Sequence, residues 1–135
     1  MSSLKFIGEF SDSDEASMSF TGIFTSSYDV YQVVIDRIDF ASADLFGRFI
    51  KSDDSVDSSS NYDDAVALLR SYSGGFAANQ TAGGTSFGSL GFHDEATIGA
   101  DSGGATVMYV FNPVASKNTM AIWENAGINA GGTPA

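Results

Sequence analysis

The stretch from Tyr28 to Phe40, YDVYQVVIDRIDF, decides the fold of this chain. It is too polar to cross a membrane and too rich in β-branched residues to favour a helix. In an extended backbone its apolar side chains fall on both sides. One face carries Val30, Val34, Ile38 and Phe40, and the other carries Tyr31, Val33 and Ile35. Apolar residues on both faces are typical of a strand covered twice, so the stretch predicts a central strand, covered by a second sheet and by a partner.

The composition suits one soluble domain spanning residues 1–135. Six Lys and Arg against seventeen Asp and Glu give a formal net charge of −11, and this charge opposes binding to nucleic acid, which needs basic residues to neutralise phosphates. No run approaches the roughly 18 apolar residues of a membrane span, and MSSLKFIGEF lacks the pattern of an export signal. The absence of cysteine excludes disulfides and thiolate metal sites.

Several other segments alternate apolar and polar residues with the period of a strand. They are Leu4–Phe10, Met18–Ile23, Leu45–Lys51, Ala105–Asn112 and Thr119–Glu124. We expect Leu45–Lys51 to form a hairpin with the preceding strand through a loop around Ser42. Residues Tyr62–Tyr72 are ambiguous, because Asp63 and Asp64 could cap a helix, but the neighbouring strands and the short length favour a strand.

Residues 73–91, SGGFAANQTAGGTSFGSLG, are rich in glycine and predict a long irregular excursion anchored by Phe76, Phe87 and Phe92. Strands separated by turns, without a long helical pattern or a fixed repeat, indicate an all-β fold. The predicted architecture is an antiparallel β-sandwich of the jelly-roll kind with long, polar loops rich in Gly and Ser.

No pattern in the chain predicts catalysis. His93, Asp94 and Glu95 lie among many serines, but FGSLG has Phe87 where a nucleophile elbow requires glycine. Carboxylate pairs for glycoside cleavage could be drawn from Asp12, Asp14, Asp36, Asp39 or Asp53, yet sequence spacing does not fix the separation that this chemistry needs. We therefore expect a protein that is not an enzyme, with no catalytic residues and no cofactor.

Two acidic clusters offer oxygen ligands of the kind that calcium prefers. One contains Asp12, Asp14 and Glu15, and the other contains Asp53, Asp54 and Asp57. Neither follows a known calcium-loop pattern, so we expect solvated acidic turns and no metal site. Trp123, Tyr109 and Phe111 could instead form a platform on which a sugar stacks. A carbohydrate-binding, lectin-like module is therefore the alternative function, although aromatic residues in strands are more often part of a core.

The order SFTGIFTSSYDVYQVVIDRI followed by LFGRFIKSDDSVDSSSNY resembles small β-sandwich virion proteins of tailed bacteriophages, especially marine ones. Their pattern is a step of Phe, two residues and Ile, a turn leading to Tyr, a hydrophobic strand, an Arg-Phe pair and a serine-rich loop ending in Tyr. The matching positions here are Phe20, Ile23, Tyr28, Val30–Ile35, Arg48, Phe49 and Tyr62. YVFNPVASKN, residues 109–118, resembles the later strand and turn of that group.

This resemblance implies a virion structural protein that serves as a capsid decoration, head fibre or tail appendage. It also implies other virion proteins as partners and a homo-oligomer, with a trimer as the implied state. Phe24 departs from the proline common at the turn, and the usual final strands are missing from the C-terminal sequence, so a sheet edge is expected to need a partner. The predicted interface residues are Phe76, Phe87, Tyr31, Val33 and Ile35.

Overall fold

The computed structural model describes residues 4–11, 15, 17–39, 46–70, 75–86, 103–115 and 118–127. Five strands follow one another in these ranges: β1 (Val30–Asp39), β2 (Tyr62–Arg70), β3 (Gly75–Gly84), β4 (Gly103–Phe111) and β5 (Met120–Gly127). They form two antiparallel sheets, one with the order β1-β4-β5 and one a hairpin of β2 and β3. The described ranges contain no helix, and hence none long and apolar enough to span a bilayer. The prediction of an all-β, antiparallel fold is confirmed.

The strand predicted from Tyr28 to Phe40 exists as β1, but its expected central position is wrong. Among the described strands, β1 is an edge of the three-stranded sheet and β4 lies in the middle. Tyr109 of β4 faces Gln32 of β1 on one side and Ile122 of β5 on the other. The apolar residues on both faces of β1 therefore do not mean that a strand is paired with each of its two edges. Whether the faces of a strand are covered and whether its edges are paired are separate properties of a sheet.

The two later strands and the ambiguous segment were predicted correctly. Ala105–Asn112 corresponds to β4 and Thr119–Glu124 to β5, with each strand one to three residues longer or shorter than expected at its ends. Residues 62–70 form β2 and not a helix, because their backbone pairs along its length with β3. Such tertiary pairing overrides a weak local helix signal.

The prediction of an irregular excursion over residues 73–91 is wrong for Gly75–Gly84, which forms β3. Phe76 therefore lies within a strand, opposite Leu69. It was expected in an irregular excursion. Alanine and glycine lower the intrinsic preference for a strand, but pairing with β2 provides the backbone hydrogen bonds that compensate. Phe87 and Phe92 lie outside the described residues.

Three predicted strands are wrong. Leu4–Phe10 and Met18–Ile23 have an irregular backbone, and the part of Leu45–Lys51 that is described contains only isolated bridges, including one between Ile50 and Val56. The bridge places this segment against its own following loop, not in a hairpin with β1. Alternation of apolar residues indicates a surface that could pair, and a strand forms only where a neighbouring backbone is available.

The described residues contain one small buried core. Its fully or nearly fully buried apolar residues are Tyr31, Tyr62, Met108 and Val110, with Thr106 buried beside them. Partly buried side chains surround them: Phe24, Val33, Ile35, Phe49, Ala121 and Trp123. Tyr62 of β2 is the one buried apolar residue of this cluster that comes from the hairpin, and the other three lie on β1 and β4.

A row of aromatic rings joins β1 to β2 through two loops. The ring of Phe24 meets Tyr31 edge-on at a centroid distance of 5.0 Å and lies 6.3 Å from Phe49. Phe49 in turn stacks on Tyr62 at 6.4 Å, with only 13° between the ring planes. Edge-on and offset stacked contacts are favourable arrangements of aromatic quadrupoles. The row therefore couples the three-stranded sheet to the hairpin.

The hydroxyls of the two buried tyrosines fix the loops that carry this row. Tyr31 Oη accepts a hydrogen bond from Thr25 N at 2.8 Å and donates to Thr25 O at 2.8 Å. Tyr62 Oη accepts from Phe49 N at 3.0 Å and donates to Asp57 O at 3.1 Å. A buried hydroxyl is costly without partners, so each loop satisfies its tyrosine while the tyrosine holds the loop.

Candidate functional site

The three-stranded sheet has two different faces. Residues directly opposite each other in an antiparallel ladder share a face, so the register of β1, β4 and β5 defines cross-strand rows. Three rows point away from the core: Val30–Phe111–Met120, Gln32–Tyr109–Ile122 and Val34–Val107–Glu124. We call these nine residues the outer face, and the face that contains Tyr31, Met108 and Val110 the inner face.

The outer face exposes much apolar surface. The exposed fractions are 51% for Val30, 61% for Val34, 42% for Tyr109, 55% for Met120 and 53% for Ile122. Val107 and Phe111 between them are half-buried. Isolated exposed apolar residues are normal, but a contiguous group of this kind on one face marks a surface of interaction. The outer face is therefore the candidate functional site.

The two polar side chains near the middle of the outer face are already paired with each other. Gln32 Nε2 donates a hydrogen bond to Tyr109 Oη at 3.0 Å. If a partner covered this region, the Gln32 amide and the Tyr109 hydroxyl would already be hydrogen-bonded to each other. Covering them would therefore leave fewer polar groups unsatisfied than the sequence suggests. This arrangement suits contact with an apolar surface.

Charge is distributed unevenly along the strands. The first two rows of the outer face contain no Asp, Glu, Lys, Arg or His, Glu124 lies in the third row, and Asp36 follows on β1. At the other end, where β1 begins, Lys5 Nζ lies 5.9 Å from the centre of the Tyr28 ring and Asp29 is exposed. One end of the sheet is thus acidic, and the other carries one charge of each sign.

The five predicted interface residues are placed differently from one another. Tyr31 is buried, and Val33 and Ile35 are half-buried against the core, all on the inner face. Phe76 lies in β3, and Phe87 is outside the described residues. No observation tests whether a partner contacts any of the five, so this assignment stays a prediction.

The three aromatic residues considered as a sugar platform do not lie together. Trp123 pairs with Met108 and is packed against the core on the inner face, whereas Tyr109 and Phe111 belong to the outer face. Stacking on a sugar ring requires aromatic faces that a ligand reaches from one side. These three side chains therefore do not form a single platform.

In the second acidic cluster, local hydrogen bonds occupy two of the three carboxylates. Asp53 accepts hydrogen bonds from Ser55 N and Oγ, and Asp57 accepts the same pair from Ser59. The serine hydroxyls are the first cause, and the backbone N–H groups the second, that hold the pKa of both carboxyls below the ordinary value of 3.8. Asp57 also pairs with Lys51 Nζ at 3.5 Å. Across the described ranges, no group of three potential metal-ligating residues exists.

The hairpin has one polar feature that the sequence did not predict. Asp63 Oδ1 accepts a hydrogen bond from Gly83 N at 2.8 Å and fixes the end of β3. The neighbouring Asp64 has a buried oxygen, Oδ1, without a hydrogen-bond partner. A shallow hollow of about 420 Å³ lies on the hairpin, lined by Ala65, Val66, Ala67, Ala78 and Gln80. Its small, mostly apolar lining offers no convergent set of reactive groups.

The remaining candidates for chemistry are mostly outside the described residues. This applies to His93, Asp94, Glu95, Asp12 and Asp14 and to the FGSLG segment. Asp36 lies on β1 and Asp53 in the loop that precedes β2, on separate elements. The prediction that the chain has no catalytic site therefore stays a prediction.

Sequence reasoning missed most of the outer face, including Val30, Tyr109, Met120 and Ile122 as a group. The signal was present as the shared parity of these positions within their strands. It could not be used, because both parities of β1 and β4 are apolar and only the register between distant strands shows which side is covered.

Comparisons with protein-family models, curated proteins and solved structures found no match to this chain.

Proposed function

We propose that this chain is a structural protein of a bacteriophage virion and not an enzyme. In this role it attaches to the capsid or tail as a decoration, fibre or appendage subunit, and it contacts other virion proteins and copies of itself. The observation that carries the proposal is the outer face, where five large apolar side chains stay 42–61% exposed, while the buried apolar core of the described residues has four members. A chain with this balance gains stability when another protein covers it.

The residues that carry the resemblance to phage virion proteins have structural roles in this chain. Phe49 of the Arg-Phe pair stacks on Tyr62, which ends the serine-rich loop, and Tyr62 Oη binds the backbone of Phe49. Arg48 Nε donates to Thr85 O at 2.9 Å at the end of the hairpin. These contacts hold a loop and a hairpin together and perform no chemistry, which agrees with a role in assembly.

We also propose that the two sheets belong to a β-sandwich of the jelly-roll kind. Tyr31 and Tyr62 lie at the start of β1 and β2, and each hydroxyl bonds to backbone five or six residues upstream. This geometry resembles the tyrosine corner of β-sandwich domains, where the chain passes between sheets. Tyr62 of β2 lies in one buried cluster with Tyr31, Met108 and Val110 of the three-stranded sheet, and this supports the same arrangement.

Self-association is part of the proposal, and the resemblance implies a trimer. The net charge of −11 opposes contact between copies, so the contact must use surface without acidic residues or keep them apart. The first two rows of the outer face meet that condition. The virion location, the absence of nucleic-acid contact and the absence of membrane contact follow from the same proposal and from the acidic composition.

Mass spectrometry of purified particles tests the proposed function. If the chain is a virion subunit, its peptides persist through density-gradient purification at a constant ratio to the major capsid protein, and the ratio indicates many copies per particle. Loss of the peptides during purification, while the capsid protein remains, would contradict the proposal. Particles of a related phage that lacks the gene serve as the control for contaminating peptides.

A further inference from the structure

We propose that the segment Leu4–Phe10 of one copy adds as a strand to the open edge of β1 in a neighbouring copy, and that this contact repeats around a closed ring of three copies. The inference rests on the proposed self-association and specifies the segment and the edge that make the contact. It joins two features of the described residues, an exposed apolar segment and the open edge of a sheet.

The segment Leu4–Phe10 is apolar and strongly exposed. Leu4 and Phe6 have the largest exposed fractions of the large apolar residues in the described ranges, 87% and 77%. Leu4, Phe6 and Phe10 share one side of an extended chain, although the backbone here is irregular. Lys5 and Glu9 cancel in charge, so an acidic neighbouring copy does not repel this part of the chain.

The open edge of β1 is the edge away from β4, and among the described strands none pairs with it. Asn112 N donates a hydrogen bond to Asp29 O at 2.7 Å, so Asp29 directs its backbone groups towards β4. These directions alternate along a strand. The residues that direct their N–H and C=O groups to the open edge are therefore Val30, Gln32 and Val34. Extended segments of partner proteins bind to edges of this kind.

The register of the contact follows from the regular part of β1. β1 pairs with β4 without interruption from Val30 to Ile35, and the register shifts beyond Ile35. Residues 4–9 match this stretch one to one when Leu4 lies opposite Ile35. Opposite residues of an antiparallel pair share a face. The inner-face pairs are then Leu4–Ile35, Phe6–Val33 and Gly8–Tyr31, and the outer-face pairs are Lys5–Val34, Ile7–Gln32 and Glu9–Val30.

The inner-face pairs extend the core at its open side. Val33 and Ile35 pack against the core but stay half-buried in the single chain. In the proposed contact, the two most exposed apolar side chains of the segment cover them. Gly8 falls opposite Tyr31, where the ring of Phe24 already packs at a centroid distance of 5.0 Å. A residue without a side chain suits this crowded position.

The charges select the antiparallel direction. In this register Lys5 lies opposite Val34, two residues before Asp36 on β1 and at the acidic end that also contains Glu124. Glu9 lies at the opposite end, beside the outer-face row that has no charged residue. A parallel segment would bring Glu9 to the acidic end instead. Opposite charges on neighbouring strands stabilise a pair, and like charges destabilise it.

The single chain does not use its own segment in this way. Lys5 Nζ lies 5.9 Å from the centre of the Tyr28 ring, just before β1 begins. The proposed register places Lys5 beside Val34, about 20 Å further along the strand. The edge that the chain's own segment leaves open is thus available to the segment of another copy.

A contact in which each copy gives one segment and receives another is head-to-tail, and such contacts form a ring when the rotation closes. The trimer implied by the resemblance is a ring of this kind. Each copy takes part in two such contacts, so the closed ring is more stable than one contact alone.

Sedimentation equilibrium tests the inference over protein concentrations from about 5 µM to about 1 mM, the range that covers weak to moderate dissociation constants. We expect a trimer. Phe6→Asp should weaken it by about tenfold or more, because its carboxylate would face the core of the neighbouring copy. Phe46→Asp is the matched control, since Phe46 is 57% exposed and lies outside the segment, and it should leave the trimer unchanged. Both variants should melt like the wild type when dilute, because both rings are exposed in the single chain.

Cysteine cross-linking tests the register, because the chain has no cysteine of its own. Copies with Ile7→Cys are mixed with copies with Gln32→Cys under mild oxidation. In the proposed register the two Cα atoms lie about 5.5 Å apart, within the range of a disulfide, so a cross-link should form between the two kinds of copy. Val30→Cys in place of Gln32→Cys shifts the pair by two residues and should cross-link much more slowly.

Four results would overturn the inference: a monomer or a dimer at every concentration, equal weakening by Phe6→Asp and Phe46→Asp, equal cross-linking at positions 30 and 32, or a chain with both Ile7→Cys and Gln32→Cys that links within itself when dilute. A monomer in solution together with the chain in purified particles would refute this contact and leave the proposed function standing. A cross-linked trimer, with no chain in particles, would do the reverse.

Discussion

The inner and outer faces of the three-stranded sheet have nearly the same sequence character and opposite environments. Val33 and Val34 are neighbours of the same residue type on β1, yet Val33 packs against the core and Val34 is 61% exposed. On β4, Val110 is fully buried while Tyr109 is 42% exposed. An apolar side chain thus indicates a tendency to be covered, and the tertiary arrangement decides whether the chain itself provides the cover.

The largest expected effect is the difference in stability between the same substitution at two neighbouring residues of β1, one on each face. Val33→Asp should lower the free energy of unfolding by about 2–4 kcal/mol, because the carboxylate would be placed against an apolar core without a partner. Val34→Asp should change it by less than about 0.5 kcal/mol in the monomer, since the carboxylate would stay in water. Urea denaturation of both variants at a dilute concentration measures the difference.

This prediction specifies the sequence-based expectation that both faces of β1 are covered: in the dilute monomer the chain itself covers only the inner face. If the two substitutions destabilised the dilute monomer equally, part of the chain would cover the outer face, and the contrast between the faces would be wrong. Val114→Asp is a suitable control, because Val114 is 53% exposed in the turn that follows β4.

A smaller effect is expected from the tyrosine hydroxyls of the two faces. Tyr31→Phe should destabilise the fold by about 1–2 kcal/mol, because Thr25 N and O lose the hydroxyl that pairs with them. Tyr109→Phe removes a hydroxyl that accepts only from the exposed Gln32, so its effect should stay below about 0.5 kcal/mol. Thermal melts of the two variants measure this contrast. Similar losses in the two variants would show that the outer hydroxyl is as constrained as the inner one.

The pH dependence of stability should show that Tyr62 belongs to the core. Burial is the main cause that raises the pKa of Tyr62 above its ordinary value of 10.0. The folded state therefore holds the proton more tightly than the unfolded state, so the stability from this group is complete below pH 10.0 and is lost as the pH rises through the folded pKa. Melting temperatures from pH 8 to pH 11.5 should fall less steeply in Tyr62→Phe than in the wild type, and equal slopes would contradict the assignment.

The sequence predicted the strands whose residues strongly favour β structure. It failed where strand formation depends on pairing with a neighbouring strand. β1, β4 and β5 could be found from runs such as VYQVVI and ATVMYVF, since several β-branched and aromatic residues act together. β3 was missed because its glycines and alanines have no such preference, and its pairing with β2 stabilises it. The strand predicted at Leu4–Phe10 was wrong for the opposite reason. Its residues alternate as they would in a strand, but its backbone pairs with no described strand.

The outer face could not be derived from the sequence for a related reason. Its residues come from positions 30–34, 107–111 and 120–124, and the pairing of β1 with β4 spans more than seventy residues of chain. Each strand alone offers two apolar sides. Only the common register, with Tyr31, Met108 and Val110 together in the core, identifies the opposite side as exposed.

Methionine oxidation tests most directly the central claim, that the outer face is open in the monomer and covered in the assembly. Met120 on the outer face is 55% exposed, Met108 on the inner face is 6% exposed, and Met18, in the irregular segment before β1, is 43% exposed. Mild peroxide treatment followed by peptide mass spectrometry reports each site separately. In the dilute chain, Met120 and Met18 should oxidise readily and Met108 slowly. At high concentration or in particles, Met120 should become several-fold slower while Met18 does not change. A Met120 that oxidises at the same rate in the assembled and dilute states would contradict the account.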